Sequence, residues 1–217
     1  VVEVPEDVQS GDSLESHLGE AFQVRALRGP DLFNHLERTG APMMPRDIGL
    51  VVGHTGAAAG DRVLDAGTGT GILAAYLGRL GADVTTYEID AAFAEVARDN
   101  MEVAGVADRV DVRTGDITDK IDDLTGGEPF DLLTLDTEDA PEVVADAADL
   151  LAPGGFLAVY SPFVENSRAS VEAAEAAGLA AIETVETIQR ELTVDDRGTR
   201  PSTAGVGHTG YLTFARR

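Results

Sequence analysis

The sequence predicts a doubly wound α/β fold with seven strands in a mainly parallel sheet. Three observations carry that prediction. From Pro45 onward, short apolar runs alternate with segments of helical periodicity. The run Leu132-Leu133-Thr134-Leu135 suits a strand buried on both faces. A glycine-rich stretch, Gly67-Thr68-Gly69-Thr70-Gly71, falls where a first strand must turn into a helix.

Residues 1–40 form a small β-containing lead-in, and 41–217 the main domain. In the lead-in, Val1–Val4 and Phe22–Leu27 are expected strands, separated by the polar segment Gln9–Glu20; Asp31–Arg38 is a short helix or turn. Pro45, favoured in a first helical turn, opens a helix to about His54. Arg62–Asp65 is the first strand of the main sheet. Ile72–Leu80 is a helix, with Leu73, Tyr76, Leu77 and Leu80 on one face. Val84–Glu88 is a strand, Ala91–Ala104 a helix, and Val110–Thr114 and Phe130–Asp136 the next two strands. Ala140–Leu151 is a helix stopped by Pro153-Gly154-Gly155, and Phe156–Tyr160 is a strand. Ser167–Ala177 is a helix ended by Gly178. Ile182–Leu192 and Gly210–Ala215 are two last strands, antiparallel partners joined by a loop.

Composition bounds the function. At 217 residues the chain can bury one large core. Hydrophobic residues make up 43% and mean hydropathy is −0.04, which fits a globular protein. No apolar run is long enough to predict a membrane span, and no secretory leader is visible. The chain opens on Val1 rather than Met, so upstream residues are expected. With no cysteine, thiolate ligands and cysteine nucleophiles are excluded, and the four histidines show no metal-ligand spacing.

The net charge is −23, from 39 acidic and 16 basic residues, and Lys120 is the single lysine. Purging lysine across the whole chain points to a salt-rich, halophilic cytoplasm, where strongly hydrated carboxylates keep a protein soluble. At ~1 M salt the Debye length is about 3 Å, so self-repulsion is damped. A sequence pI near 4.3 argues against nucleic-acid binding under ordinary rules. In high salt that rule weakens, because counterion release drives little binding there.

The strongest motif is Val63-Leu64-Asp65-Ala66-Gly67-Thr68-Gly69-Thr70-Gly71. Its G-x-G-x-G spacing differs from the G-x-G-x-x-G of dinucleotide enzymes. Asp65 repels a pyrophosphate and attracts an ammonium through ordered water, so the motif favours a nucleoside with an amino-acid tail. Glu88 ends the second main strand, where a carboxylate accepts from both ribose hydroxyls; on this feature alone NAD fits equally. Asp116, with Ile117, follows the third strand and either accepts from an adenine amino group or caps a turn. Asp136 ends the fourth strand, next to the first, facing the reacting end of the cofactor. It is either a proton acceptor for an amine or ring nitrogen, or one member of an acidic loop.

These residues, with Pro45-Arg46-Asp47-Ile48-Gly49, Thr199-Arg200-Pro201-Ser202-Thr203 and Gly207-His208-Thr209-Gly210-Tyr211-Leu212, resemble the tRNA (adenine-N1)-methyltransferases that modify T-loop adenine 58, in an archaeal, halophilic form. The resemblance covers about residues 18–217. It implies a class I S-adenosylmethionine-dependent methyltransferase and a cytoplasmic homotetramer acting on tRNA. It implies Asp136 as the catalytic acid facing the target base, possible action at neighbouring position 57, and no metal. It also implies that Met43, Asp65, Gly67, Thr68, Gly69, Thr70, Gly71, Glu88, Asp116 and Ile117 hold the cofactor, with Met44 beside them. The chain departs from the family pattern at Thr137-Glu138 and at Met44, where the family carries an aromatic. His208 is either a structural hydrogen-bonder or a substrate contact, and Arg200 meets either a phosphate or a carboxylate. Two rivals stand beside this reading. One is a methyltransferase for a small molecule or protein. The other is a non-enzymatic RNA-binding subunit, which should have lost the glycine loop or Asp136.

Overall fold

Alternation along the chain becomes two layers of helices around one sheet in the computed structural model, which describes residues 1–205 and 207–217. The lead-in holds β1 (Ser13–Glu15) and β2 (Ala21–Gln23), an antiparallel pair, and α1 (Gly29–His35). Then follow α2 (Pro45–Thr55), β3 (Arg62–Ala66), α3 (Ile72–Leu80), β4 (Asp83–Glu88), α4 (Ala91–Ala104) and β5 (Val110–Thr114). The second half runs α5 (Ile121–Thr125), β6 (Phe130–Leu135), α6 (Ala140–Ala145), α7 (Ala147–Leu150), β7 (Leu151–Ser161), α8 (Val164–Ala176) and β8 (Ala180–Glu186). The hairpin β9 (Leu192–Asp195) and β10 (Gly198–Pro201) precedes β11 (Tyr211–Arg216).

The seven-stranded sheet has the order β5-β4-β3-β6-β7-β11-β8, with β11 antiparallel to both its neighbours. The chain leaves β3 toward β4 and β5, then returns to β6 on the other side. That reversal opens a crevice at the C-terminal ends of β3 and β6, where doubly wound sheets bind ligands. Strand residues alternate between two cores. Val63, Leu132, Ala158 and Phe214 pack with α2, α3 and α4 on the first face. Leu64, Leu133, Leu135, Leu157 and Val159 pack with α6, α7 and α8 on the second. Leu132 and Leu133 are therefore both fully buried, on opposite sides.

Several elements differ from expectation. Val1–Val4 is no strand; Val2 makes one isolated bridge to Ser16, and β2 pairs with β1 inside the polar segment. Pairing there follows the Ser16 turn, whose hydroxyl accepts from the Leu18 and Glu20 amides, rather than hydrophobicity. Leu32 and Leu36 lie in the first-face core, so from α1 onward the lead-in packs as part of the main domain. The expected helix 140–151 breaks at Asp146, a residue that competes with helical backbone bonding. The helical stretch ends at Leu150, ahead of Pro153-Gly154-Gly155, which instead forms an irregularity inside an eleven-residue β7. The expected strand 182–192 is two pieces: β8 ends at Glu186, residues 187–191 carry no strand, and Leu192 opens β9, which Asp196-Arg197 turns into the β9–β10 hairpin. A short helical segment, Thr118–Thr125, lies where the sequence pattern gave none.

Candidate active site

The site is built from the ends of β3, β4, β6 and β7. After Ala66 the chain turns sharply, and Gly67 (φ 84°) and Thr68 both donate their amides to the Tyr87 carbonyl, at 3.0 and 3.3 Å. A Cβ on Gly67 would lie 2.0 Å from the Asp136 carbonyl oxygen. Only glycine lets the turn pass so close to the neighbouring strand end.

Glu88 is 7% exposed, and both its oxygens are engaged. Oε2 accepts from the Gly69 amide at 2.8 Å and Oε1 from the Asp90 amide at 3.0 Å. The strand-end carboxylate thus fastens the glycine turn, and each oxygen keeps a second lone pair for a hydroxyl. Beneath the turn, Asp65 is almost wholly buried and accepts from Thr86 on β4 and Thr134 on β6; Thr86 also bonds Thr68. Burial pushes the Asp65 carboxyl above its usual range; the threonine hydroxyls oppose the rise and the Glu88 charge adds to it.

Asp136 continues the ladder, its amide donating to the Ala66 carbonyl at 2.9 Å. Burial, then the charges of Asp65 and Glu88, push its carboxyl up to about 7. No donor reaches that carboxyl among the described residues. A cleft of about 330 Å³ spreads from it along Gly67, Gly69, Glu88, Ile89, Phe93, Asp116 and Ile117. A small cavity of about 40 Å³ lies on its other side, bounded by Met43, Asp65, Thr68, Thr70 and Ile72. Asp116 meets its turn-capping reading, since Oδ1 accepts from the Thr118 amide and hydroxyl at 2.9 and 2.7 Å, while the residue still lines the cleft.

Among the described residues lining these two spaces there are six carboxyl groups (Asp65, Glu88, Asp116, Asp136, Glu138 and Asp139) and no cation. A pyrophosphate would be repelled; a positively charged ligand relieves the repulsion. Ile89, Phe93 and Ile117 supply apolar surface for a flat base. These residues fit S-adenosylmethionine, a nucleoside bearing a cationic sulfur and an ammonium. A larger groove of about 660 Å³ along the β5 edge contains none of these residues, and its charged walls are partly paired, as in Arg109–Asp83.

The C-terminal motif turns out to brace the site. Thr209 donates its hydroxyl to Asp47 Oδ2 at 2.9 Å and accepts from Arg46 Nη2 at 3.0 Å, while its carbonyl accepts from Tyr160 Oη at 2.6 Å. Gly210 leaves room for the Tyr160 ring, which a Cβ there would meet at 2.5 Å. His208 follows its structural reading: Nδ1 lies 2.7 Å from Glu186 Oε1 and Nε2 3.1 Å from the Pro162 carbonyl. Two acceptors favour the doubly protonated ring, and its pKa is raised by the Glu186 bond and then the Pro162 bond. Arg200 sits exposed on β10, outside both spaces, with no ion pair among the described residues.

Sequence reasoning missed Thr86, Thr134, Asn100, Asp47, Thr209 and Tyr160. Asn100 bonds the Thr70 carbonyl and the Glu37 amide and carbonyl, tying residues 36–44 onto the glycine turn. Its signal was a polar residue on the apolar stripe of α4. The others carried no local signal beyond membership of motifs.

This sheet order, with a glycine turn and strand-end acids at its switch point, defines a class I S-adenosylmethionine-dependent methyltransferase fold. Solved structures agree. An O-methyltransferase of Thermotoga maritima superimposes with a TM-score of 0.84 at 24% identity, covering 96% of this chain and 78% of that one. The tRNA (m1A58) methyltransferase TrmI of Aquifex aeolicus does so with a TM-score of 0.78 at 20% identity, covering 99% and 94%. The family described as "tRNA methyltransferase complex GCD14 subunit" matches residues 30–199. The tRNA (adenine(57)-N(1)/adenine(58)-N(1))-methyltransferase TrmI of Methanocaldococcus jannaschii is 32% identical over 240 residues, covering 97% of this chain and 83% of the relative. The chain belongs to this GCD14/TrmI tRNA methyltransferase family.

Proposed function

We propose that this protein transfers a methyl group from S-adenosylmethionine to N1 of a T-loop adenine in tRNA, at position 58 and, as in the Methanocaldococcus relative's name, position 57. The observation that carries the proposal is Asp136, a carboxyl that no donor reaches among the described residues, at the switch point beside a cation-seeking cleft. S-adenosylmethionine, when bound, supplies an electrophilic methyl on a positively charged sulfur. Glu88 receives the ribose hydroxyls. Ile117 and Asp116 meet the adenine, and Gly67 to Gly71 with Asp65 and Met43 enclose the amino-acid end. Asp136 accepts a hydrogen bond from the N6 amino group of the target base. There it stabilises the positive charge that develops on the ring as N1 is alkylated, and takes up the proton that leaves N6. A T-loop base must leave its stack to reach this cleft.

The partner readings belong to the same proposal. Arg200, exposed on the β9–β10 hairpin and without an ion pair among the described residues, meets a tRNA phosphate. The assembly is a homotetramer, as the family resemblance implies, and it works in a salt-rich cytoplasm, a setting that the near-absence of lysine and the −23 charge support. Among the described residues no helix is long and apolar enough to cross a membrane. The test is an assay in concentrated KCl with labelled S-adenosylmethionine and unmodified tRNA, followed by nucleoside analysis. Label in 1-methyladenosine from the T loop supports the proposal. Cofactor binding without transfer to tRNA refutes it and favours a small-molecule or protein acceptor.

A further inference from the structure

Among the described residues the Asp136 carboxyl has no donor, although a tyrosine stands beside it. β6 and β7 are parallel, with Leu135 registered against Val159. One step further along, Asp136 and Tyr160 end adjacent strands, alternate to the second-face pair Leu135 and Val159, and so turn to the first face, where Tyr160 packs. A tyrosine hydroxyl next to a partly buried carboxyl ordinarily donates to it, because a charged acceptor makes the stronger bond. Here it donates instead to the Thr209 carbonyl.

The reason lies in α2. Asp47 is 2% exposed, and the Arg46 side chain is nearly buried with it. Both grip the Thr209 hydroxyl, which fixes the main chain just before β11. Gly210 then brings that backbone against the face of the Tyr160 ring. His208, held by Glu186 and the Pro162 carbonyl, anchors the same turn from the other end. Three successive residues of the C-terminal motif thus determine where one hydroxyl points.

We propose that Thr209 is a positioning residue: clasped by Arg46 and Asp47, it commits the only proton of Tyr160 to its own carbonyl and so leaves Asp136 free to accept from the substrate. This rests on the assignment of Asp136 as the acceptor for the target base. The charges of Asp65 from β3 and Glu88 from β4 act on Asp136, Glu138 from its own loop lines the same cleft, and Tyr160 from β7 interacts with Asp136 and, on its other side, with Asp47 and Arg46 from α2. Cutting the clasp takes the Thr209 hydroxyl from Arg46 and Asp47, and among the groups beside Asp136 it releases the Tyr160 hydroxyl, a donor, to change partner. Tyr160, whose pKa burial and then the Asp136 and Asp47 charges push up to about 12, keeps its proton throughout the working range.

The test follows the Asp136 carboxyl directly by carbon-13 NMR titration of the cofactor-free protein in concentrated KCl, its signal assigned by its loss in Asp136→Asn. In Thr209→Val, Tyr160 is released to donate to Asp136, and the midpoint falls by about one pH unit or more. Thr209→Ser keeps the midpoint of the unaltered protein. In Thr209→Val combined with Tyr160→Phe the fall disappears. In parallel, kcat on tRNA drops about tenfold in Thr209→Val with KM for S-adenosylmethionine unchanged. An unmoved midpoint in Thr209→Val, or an equal fall when Tyr160 is absent, overturns the proposal. Should Thr209→Val not fold, Tyr160→Phe alone decides. Its midpoint stays in place if Tyr160 makes no bond to Asp136, and a rise of about one unit overturns the proposal. If Asp136→Asn methylates tRNA at full rate, the assignment of Asp136 fails instead, and the titrations still judge the clasp.

Discussion

Replacing Asp136 by Asn should make this protein more stable at neutral and alkaline pH while abolishing turnover. The side chain keeps its shape and loses its charge. In the fold the carboxyl titrates at about 7, against 3.8 for an unperturbed aspartate. A folded pKa above the unfolded one means that the unfolded chain gives up its proton first as pH rises. The stability the protonated carboxyl contributes is therefore complete below about pH 4 and is lost as pH climbs to 7. At about 1.4 kcal/mol per pH unit, the three-unit gap sets a ceiling of about 4 kcal/mol. Salt and relaxation around the carboxyl lower the effect to the order of 2 kcal/mol, which for a chain this size is a rise in Tm of about 4–8 °C. Thermal melts of the two proteins in concentrated KCl between pH 4.5 and 8.5 measure it. The gap in Tm should open as pH rises and level off above 7. An Asn variant that melts at or below the unaltered protein at pH 8, or a gap independent of pH, would show that the carboxyl cluster does not strain the fold.

Three further outcomes follow from the same cluster. S-adenosylmethionine brings a positive sulfur into it, whereas S-adenosylhomocysteine does not. Calorimetry at pH 7 in buffers of different ionisation enthalpy should show roughly half a proton released with the first ligand, less with the second, and none from Asp136→Asn; equal release for both ligands refutes the charge argument. Glu88→Ala removes the carboxylate that fastens Gly69 and that would receive the ribose hydroxyls, so cofactor affinity should fall at least about 100-fold by calorimetry, and a loss under about threefold would detach Glu88 from the site. Gly67→Ala drives a Cβ into the Asp136 carbonyl at positive φ. It should cost on the order of 3 kcal/mol or more, a fall in Tm of at least about 6 °C; an unchanged melt would show that the turn is looser than its geometry.

How much of the site could be read beforehand depends on how local each signal is. The glycine turn, Glu88, Asp116 and Asp136 each end a strand and begin a turn, so spacing along the chain announces them. Their expected places at the switch point are where the structure puts them. Arg200 was legible as a cation but not as an exposed one on a hairpin, because β9 and β10 are defined by pairing with each other rather than by periodicity. The lead-in was misread for the same reason: β1 exists through its partner, and polar residues form it.

The sequence by itself determined the layered architecture, since a period of two or of 3.6 in apolar residues fixes which element a segment becomes and which face it buries. It also determined the glycine turn, because positive φ and close backbone approach exclude every other residue there. Only the tertiary structure decided that Asp65 is satisfied by threonines from two other strands, and that no donor among the described residues reaches Asp136. Only it decided that Thr209, 162 residues from Asp47 along the chain, holds the tyrosine between them. These are bonds between segments brought together by the sheet order, and no local pattern in a chain encodes which distant hydroxyl will meet which carboxylate.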